Sequence, residues 1–141
     1  MPYLVLSSLI IPAPNEWTRL INGAAWGKYR HTAAIINSGN GSKKALFSAN
    51  LTINDEWDLE LHIPMKAIFP GKRWGIWNII VKDSNGDQYE VEFNSEAGID
   101  GWNLVEKISL PKGKVTVELS NKSNGNIVVA DAIRWTPAVR N

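Results

Sequence analysis

The chain has 141 residues, 44% hydrophobic and 21% charged, with a formal net charge of +1. That size and balance describe one globular domain with enough apolar content for a core, and exclude a disordered or strongly polyionic chain. Near-neutrality removes the electrostatic basis for a nucleic-acid or anionic-membrane partner, and the absence of Cys excludes disulfides and thiolate metal sites.

The first apolar run, residues 2–11, has no basic leader region and is too short to span a bilayer. It reads as a first strand or a linker remnant, ended by Pro12-Ala13-Pro14. Residues 16–21 form a short strand closed by Asn22-Gly23, and residues 27–37 are mostly extended around His31-Thr32-Ala33-Ala34. Ser38-Gly39-Asn40-Gly41-Ser42 reads as a turn, and residues 45–52 as another strand. Residues 56–63 alternate cleanly. Trp57, Leu59, Leu61 and Ile63 take one face, and Glu56, Asp58, Glu60 and His62 take the other. This places Trp57 in the core and His62 on a solvated face.

After the Pro64 to Arg73 loop, residues 74–83 are apolar on both parities and read as a central strand. Asn85-Gly86 predicts a hairpin whose return strand carries Tyr89, Val91 and Phe93 inward. Residues 102–110 place Trp102 and Leu104 in phase with Ile108 and Leu110, and residues 114–120 point Val115, Val117 and Leu119 inward. The last run, residues 125–135, is almost wholly β-branched, small or aromatic, with Asp131 at its middle and Trp135 at its end. No stretch has a convincing helical period. Strand-like runs recur at roughly 8–12-residue spacing with turn residues between them, the pattern of an all-β sandwich or barrel. The expected fold is an antiparallel, jelly-roll-like β-sandwich of about nine or ten strands, as a single domain over residues 1–141.

The order of motifs from Glu56 onward is specific. An alternating strand ends in Pro64, and a hairpin spans residues 78–94. Gly101-Trp102 and Leu110-Pro111-Lys112-Gly113 follow, and the chain closes with Val128-Val129-Ala130-Asp131-Ala132-Ile133-Arg134. This resembles the golvesin C-terminal-like domain, a family also found beside bacterial enzymes known as xanthan lyases. The closing strand is also similar to that of family 6 and family 35 type carbohydrate-binding modules. Glu56-Trp57 and Glu106 depart from the family's usual Gly-Tyr and Gly. The resemblance implies a jelly-roll-like module of a larger extracellular or periplasmic protein. It also implies a covalently linked catalytic domain, and a polysaccharide or cell-envelope glycan as ligand.

Asp131 has two readings. It is a ligand for Ca²⁺ or a sugar hydroxyl, or it is a structural carboxylate accepting backbone, Arg or Trp hydrogen bonds at a strand crossing. A buried carboxylate persists only when paired, which favours the second, and no companion ligands support a structural Ca²⁺. No cofactor or metal is expected, since His31 and His62 lack metal-ligand spacing, and no nucleophile or phosphate-loop motif is present. Asp58 and Glu60 share a strand face about 7 Å apart, which alternation produces on any solvated strand. The chain is therefore read as non-catalytic.

Seven tryptophans stand out. Trp57, Trp102 and Trp135 are in phase with inward neighbours and are assigned to the core. Trp26, Tyr29 and Arg30, and Trp74 with Arg73, lie at loop edges. They combine flat apolar faces with hydrogen-bonding groups suited to a sugar. The leading expectation is a carbohydrate-binding or enzyme-accessory module that binds through these loop aromatics. The alternative is a structural domain that docks on a catalytic partner through a flat apolar patch.

Overall fold

The structure is a computed structural model that describes residues 5–6, 8–10, 18–21, 32–64, 66 and 69–138, with side chains from residue 36 onward. Its strands are Val5–Leu6 (β1), Ser8–Ile10 (β2), Thr18–Ile21 (β3), Thr32–Asn37 (β4), Lys44–Leu51 (β5) and Asp55–Ile63 (β6). They continue with Ile76–Lys82 (β7), Gln88–Asn94 (β8), Gly101–Leu110 (β9), Gly113–Ser123 (β10), Ile127–Ala130 (β11) and Ala132–Pro137 (β12). A 3₁₀ turn, Ser95–Ala97, links β8 to β9.

Three sheets form, in the orders β1-β12-β6-β9, β2-β5-β10-β7-β8 and β11-β4-β3. Every strand pairing in them is antiparallel. The runs β1–β2 and β11–β12 each change sheet part-way, so the twelve segments amount to ten passes of the chain. The fold is the antiparallel β-sandwich that the spacing of turns predicts.

Alternation builds the core. Trp57, Leu59, Leu61 and Ile63 of β6 join Ile133 and Trp135 of β12 in one cluster with Phe47, Ile79, Val81, Val115, Val117 and Leu119 of the five-stranded sheet. Each fully buried side chain of this size contributes about 1.5–3 kcal/mol by leaving water. Strand β10 is the spine of that sheet, with β5 on one side and β7 on the other. Trp57 and Trp77 satisfy their indole N–H groups with backbone carbonyls, Ile53 for the first and Trp74 and Ile127 for the second. The buried indole nitrogen of Trp135 has no acceptor among the described residues, a cost of about 1–3 kcal/mol offset by its packing.

A seam closes one end of the sandwich. The Asn126 side chain accepts from the Arg73 amide at 2.8 Å, and the Asn126 amide donates to the Arg73 carbonyl at 2.7 Å. The Asn124 side chain accepts from the Ile76 amide at 2.8 Å. The two backbones approach so closely that Gly75, at φ +70°, would place a Cβ 2.4 Å from the Gly125 nitrogen. Gly75→Ala therefore adds left-handed strain to a backbone clash, and is expected to cost about 3 kcal/mol or more. Urea denaturation monitored by Trp fluorescence checks this, and an unchanged midpoint would refute the close-approach account.

Candidate functional site

The sandwich brings a polar face together on the outside of the four-stranded sheet. Strand β6 lies between β12 and β9, and its outward residues Asp58, Glu60 and His62 are half-buried rather than free in water. The register sets three rows. His62 lies between Ala132 and Trp102, Glu60 between Arg134 and Leu104, and Asp58 between Thr136 and Lys107.

A β-bulge decides what β9 contributes. Leu59 pairs with Glu106 but Glu60 pairs with Leu104, so Val105 is the extra residue. One inserted residue reverses the parity of everything beyond it. Ile108 and Leu110 point into the core, whereas Asn103 turns inward and Trp102 and Leu104 turn outward. Trp102, expected in the core by phase with Ile108, is thus a half-buried residue of the outer face, and Leu104 is 61% exposed. The inward Asn103 holds the preceding loop. Its side chain accepts from the Ile99 amide at 2.8 Å and donates to the Ile99 and Gly101 carbonyls at 2.8 and 3.0 Å.

Asp131 sits between β11 and β12, where the closing run leaves one sheet for another. Its carboxylate is fully buried and lies 2.5 Å from Nδ1 of His62. The expected strand crossing is there, and His62 is a partner that the sequence reading did not name. His62 is correspondingly not a solvated residue, since its side chain is 13% exposed. Alternation placed it on the correct face, and Asp131 and Trp102 then close around it. The His62 ring meets Trp102 edge-on, with centroids 5.1 Å apart at 71°. Trp102 and Asp131 each make a further contact.

Arg134 completes the arrangement. Its guanidinium lies 4.3 Å from the Trp102 ring centroid and its Nη2 donates to Glu60 at 2.7 Å. Thr136 donates its hydroxyl to the other Glu60 oxygen at 3.0 Å. Glu60 is therefore committed to two partners on this face. The result is an indole flanked by a guanidinium and bordered by carboxylate, hydroxyl and exposed aliphatic groups. These are the residue types that hold a polyhydroxylated ring.

The loop residues fare differently. Trp74 is not an exposed platform, because only 3% of it is accessible. It packs against Phe69 and Trp77, at 5.8 and 5.7 Å between centroids, under the seam made by Asn124 and Asn126. Large apolar surface at a loop edge is buried when the loop folds back over it, which local sequence does not reveal. Arg73 is exposed, with its backbone fastened to Asn126. Trp26, Tyr29, Arg30 and His31 lie outside the described residues.

At the opposite end of the sandwich an open cleft of about 670 Å³ is lined by Asn54, Asp55, Glu56, Asp83, Asn85, Asp87 and Tyr89, among others. Asp83 is buried there as the organiser of the hairpin. It accepts from the Asn85 and Asp87 amides at 2.9 and 3.0 Å and from the Tyr89 hydroxyl at 3.1 Å. Burial chiefly, then the Asp83 hydrogen bond and the charges of Asp83 and Asp87, push the Tyr89 phenol above its ordinary value of 10.0. Among the described residues, no three His, Asp or Glu side chains are disposed to hold a metal ion.

With this geometry in view, comparison with known proteins is decisive for the family. The model of the Golvesin C-terminal domain matches residues 12–137. The chain belongs to the Golvesin C-terminal domain family. This domain is similar in structure to part of a Paenibacillus xanthan lyase, with a TM-score of 0.71 at 19% identity, covering 96% of this chain and 13% of the lyase chain. It is also similar to the CBM35 from Cellvibrio japonicus Abf62, with a TM-score of 0.50 at 16% identity, covering 94% of each chain. At these identities the likeness is one of fold. No curated protein matches the chain. Among the described residues, no helix is long and apolar enough to cross a membrane.

Two outcomes test the site. Asp131→Ala leaves His62 facing a buried gap and is expected to cost about 3–5 kcal/mol in chemical denaturation; a full-stability alanine variant would discard the structural role. Tyr89 has a folded pKa above its unfolded one, so its contribution is intact below pH 10.0 and is lost as pH rises through the folded value. Absorbance titration of phenolate, compared between the wild type and Tyr89→Phe, should show one tyrosine ionising late and absent from the variant.

Proposed function

We propose that this domain is a non-catalytic carbohydrate-binding module, carried as an accessory unit beside a catalytic domain in a longer extracellular or periplasmic protein. The observation that carries the reading is Trp102, which the β9 bulge turns onto the outer sheet face beside Arg134 at 4.3 Å. A sugar ring packs its C–H face on apolar and aromatic surface while its hydroxyls take directional bonds from fixed donors and acceptors. Trp102 and the exposed Leu104 supply the first, and Arg134, Glu60 and Thr136 the second. Similarity over 94% of a CBM35 supports the ligand class, and similarity to 13% of a xanthan lyase chain supports the accessory placement.

The competing reading, a domain that docks on its catalytic partner, is favoured by Ile99 and Leu104, exposed by 66% and 61%. Affinity electrophoresis through gels containing plant, algal or bacterial polysaccharides separates the two. Retardation by at least one glycan is expected. Trp102→Ala should weaken it by about tenfold or more, in line with the value of an aromatic anchor, with the melting temperature checking that the variant folds. Trp74→Ala should instead lower the melting temperature, as a core truncation does. Retention by no glycan counts against the carbohydrate reading and in favour of docking.

A further inference from the structure

The outer face of the four-stranded sheet holds two polar atoms that its own hydrogen bonding does not use. Oδ1 of Asp58 and Nε of Arg134 are both shielded from solvent and have no hydrogen-bond partner among the described residues. They belong to adjacent rows of the same face, with Asp58 beside Thr136 and Arg134 beside Glu60. One is an acceptor without a donor, and the other a donor without an acceptor. Unmet groups of this kind cost free energy in the free protein and return it when a ligand meets them. Both residues as a whole are half-buried and open onto this face.

The identity of the missing group follows from what can serve both atoms. A carboxylate or sulfate oxygen accepts from Nε but offers nothing to Oδ1 of Asp58, and meets it as a like charge. An ammonium group serves Asp58 but is repelled by the guanidinium. A hydroxyl both donates and accepts. The surrounding charge points the same way. Asp58 and Glu60 are fixed acidic groups on β6, and the guanidinium facing them already donates to Glu60 at 2.7 Å. A ligand anion must compete with Glu60 for Arg134 and must approach Asp58, which disfavours it.

We infer that the ligand of this face is an uncharged, hydroxyl-rich stretch of glycan, and that Asp58 and Glu60 exclude uronate- or sulfate-bearing chains. This rests on the carbohydrate-binding reading of the Trp102 face and adds its specificity. Affinity electrophoresis of the 141-residue chain tests it, using neutral polysaccharides (cellulose derivatives, xylan, galactan) against polygalacturonate, alginate and carrageenan. The expected result is retardation by a neutral glycan at least tenfold stronger than by any anionic one. Asp58→Asn, which keeps shape and removes charge, should narrow that ratio by about threefold or more, as should Glu60→Gln, with melting temperatures checking that each variant folds. Equal or stronger retardation by an anionic glycan, lost in Arg134→Ala, overturns the inference and leaves the carbohydrate reading standing. A ratio unaltered in both folded carboxylate variants overturns the assignment of specificity to Asp58 and Glu60. No retardation by any polysaccharide overturns the carbohydrate reading itself.

Discussion

The contact between Asp131 and His62 is the constraint on which the rest of the sandwich depends. A carboxylate with no exposed surface is tolerated only where a partner compensates for the water it has lost. Here the partner is a side chain from β6, and the carboxylate stands where the closing run passes from the three-stranded to the four-stranded sheet. Forming the pair therefore fixes two things together, the point at which the run changes sheets and the register of β12 on β6. Hydrophobic burial of Ile127, Val128, Val129, Ile133 and Trp135 drives the run inward, but it is not directional. The directional contact between the two side chains selects one arrangement among the apolar alternatives.

The consequences of that pair extend outward. His62, held from behind by Asp131, presents its ring edge to Trp102; Trp102 lies beneath the Arg134 guanidinium; Arg134 is gripped by Glu60, which also takes the Thr136 hydroxyl. The contacts tie β6 to the strands on either side and reach from β9 to β12 across it, and together they turn a sheet exterior into an ordered polar surface around an indole. The order comes from a buried structural element, so the arrangement of this face and the stability of the closing strand are coupled. A surface supported in this way is preorganised.

The two ends of the sandwich have other uses. One is sewn shut by the side chains of Asn124 and Asn126 over Trp74, with Gly75 and Gly125 allowing the backbones to touch. The other is shaped by the Asp83-centred hairpin and its acidic cleft. Of the loop residues, Trp74 is buried and Arg73 is exposed, while Trp26, Tyr29 and Arg30 lie outside the described residues. A loop tryptophan is not exposed by virtue of being in a loop. The free energy of burying an indole, about 1.5–3 kcal/mol or more, is available wherever a neighbouring segment can cover it.

By itself the sequence determined everything that depends on local period and turn chemistry. The alternation in residues 56–63 placed Trp57, Leu59, Leu61 and Ile63 inward, Asn85-Gly86 marked the hairpin, and the isolated charge of Asp131 in an apolar run marked a buried carboxylate needing a partner. These are properties of neighbouring residues on one strand. What the tertiary structure alone decided depends on pairing between distant strands. The Asp131 partner, His62, lies 69 residues away, and Arg134 reaches Glu60 across 74. The bulge at Val105 arises from the match between β6 and β9, not from any residue that announces it, and one extra residue reverses the face of Trp102. Period two makes side-chain direction legible along a strand, but only until register slips, and register is set by the partner strand.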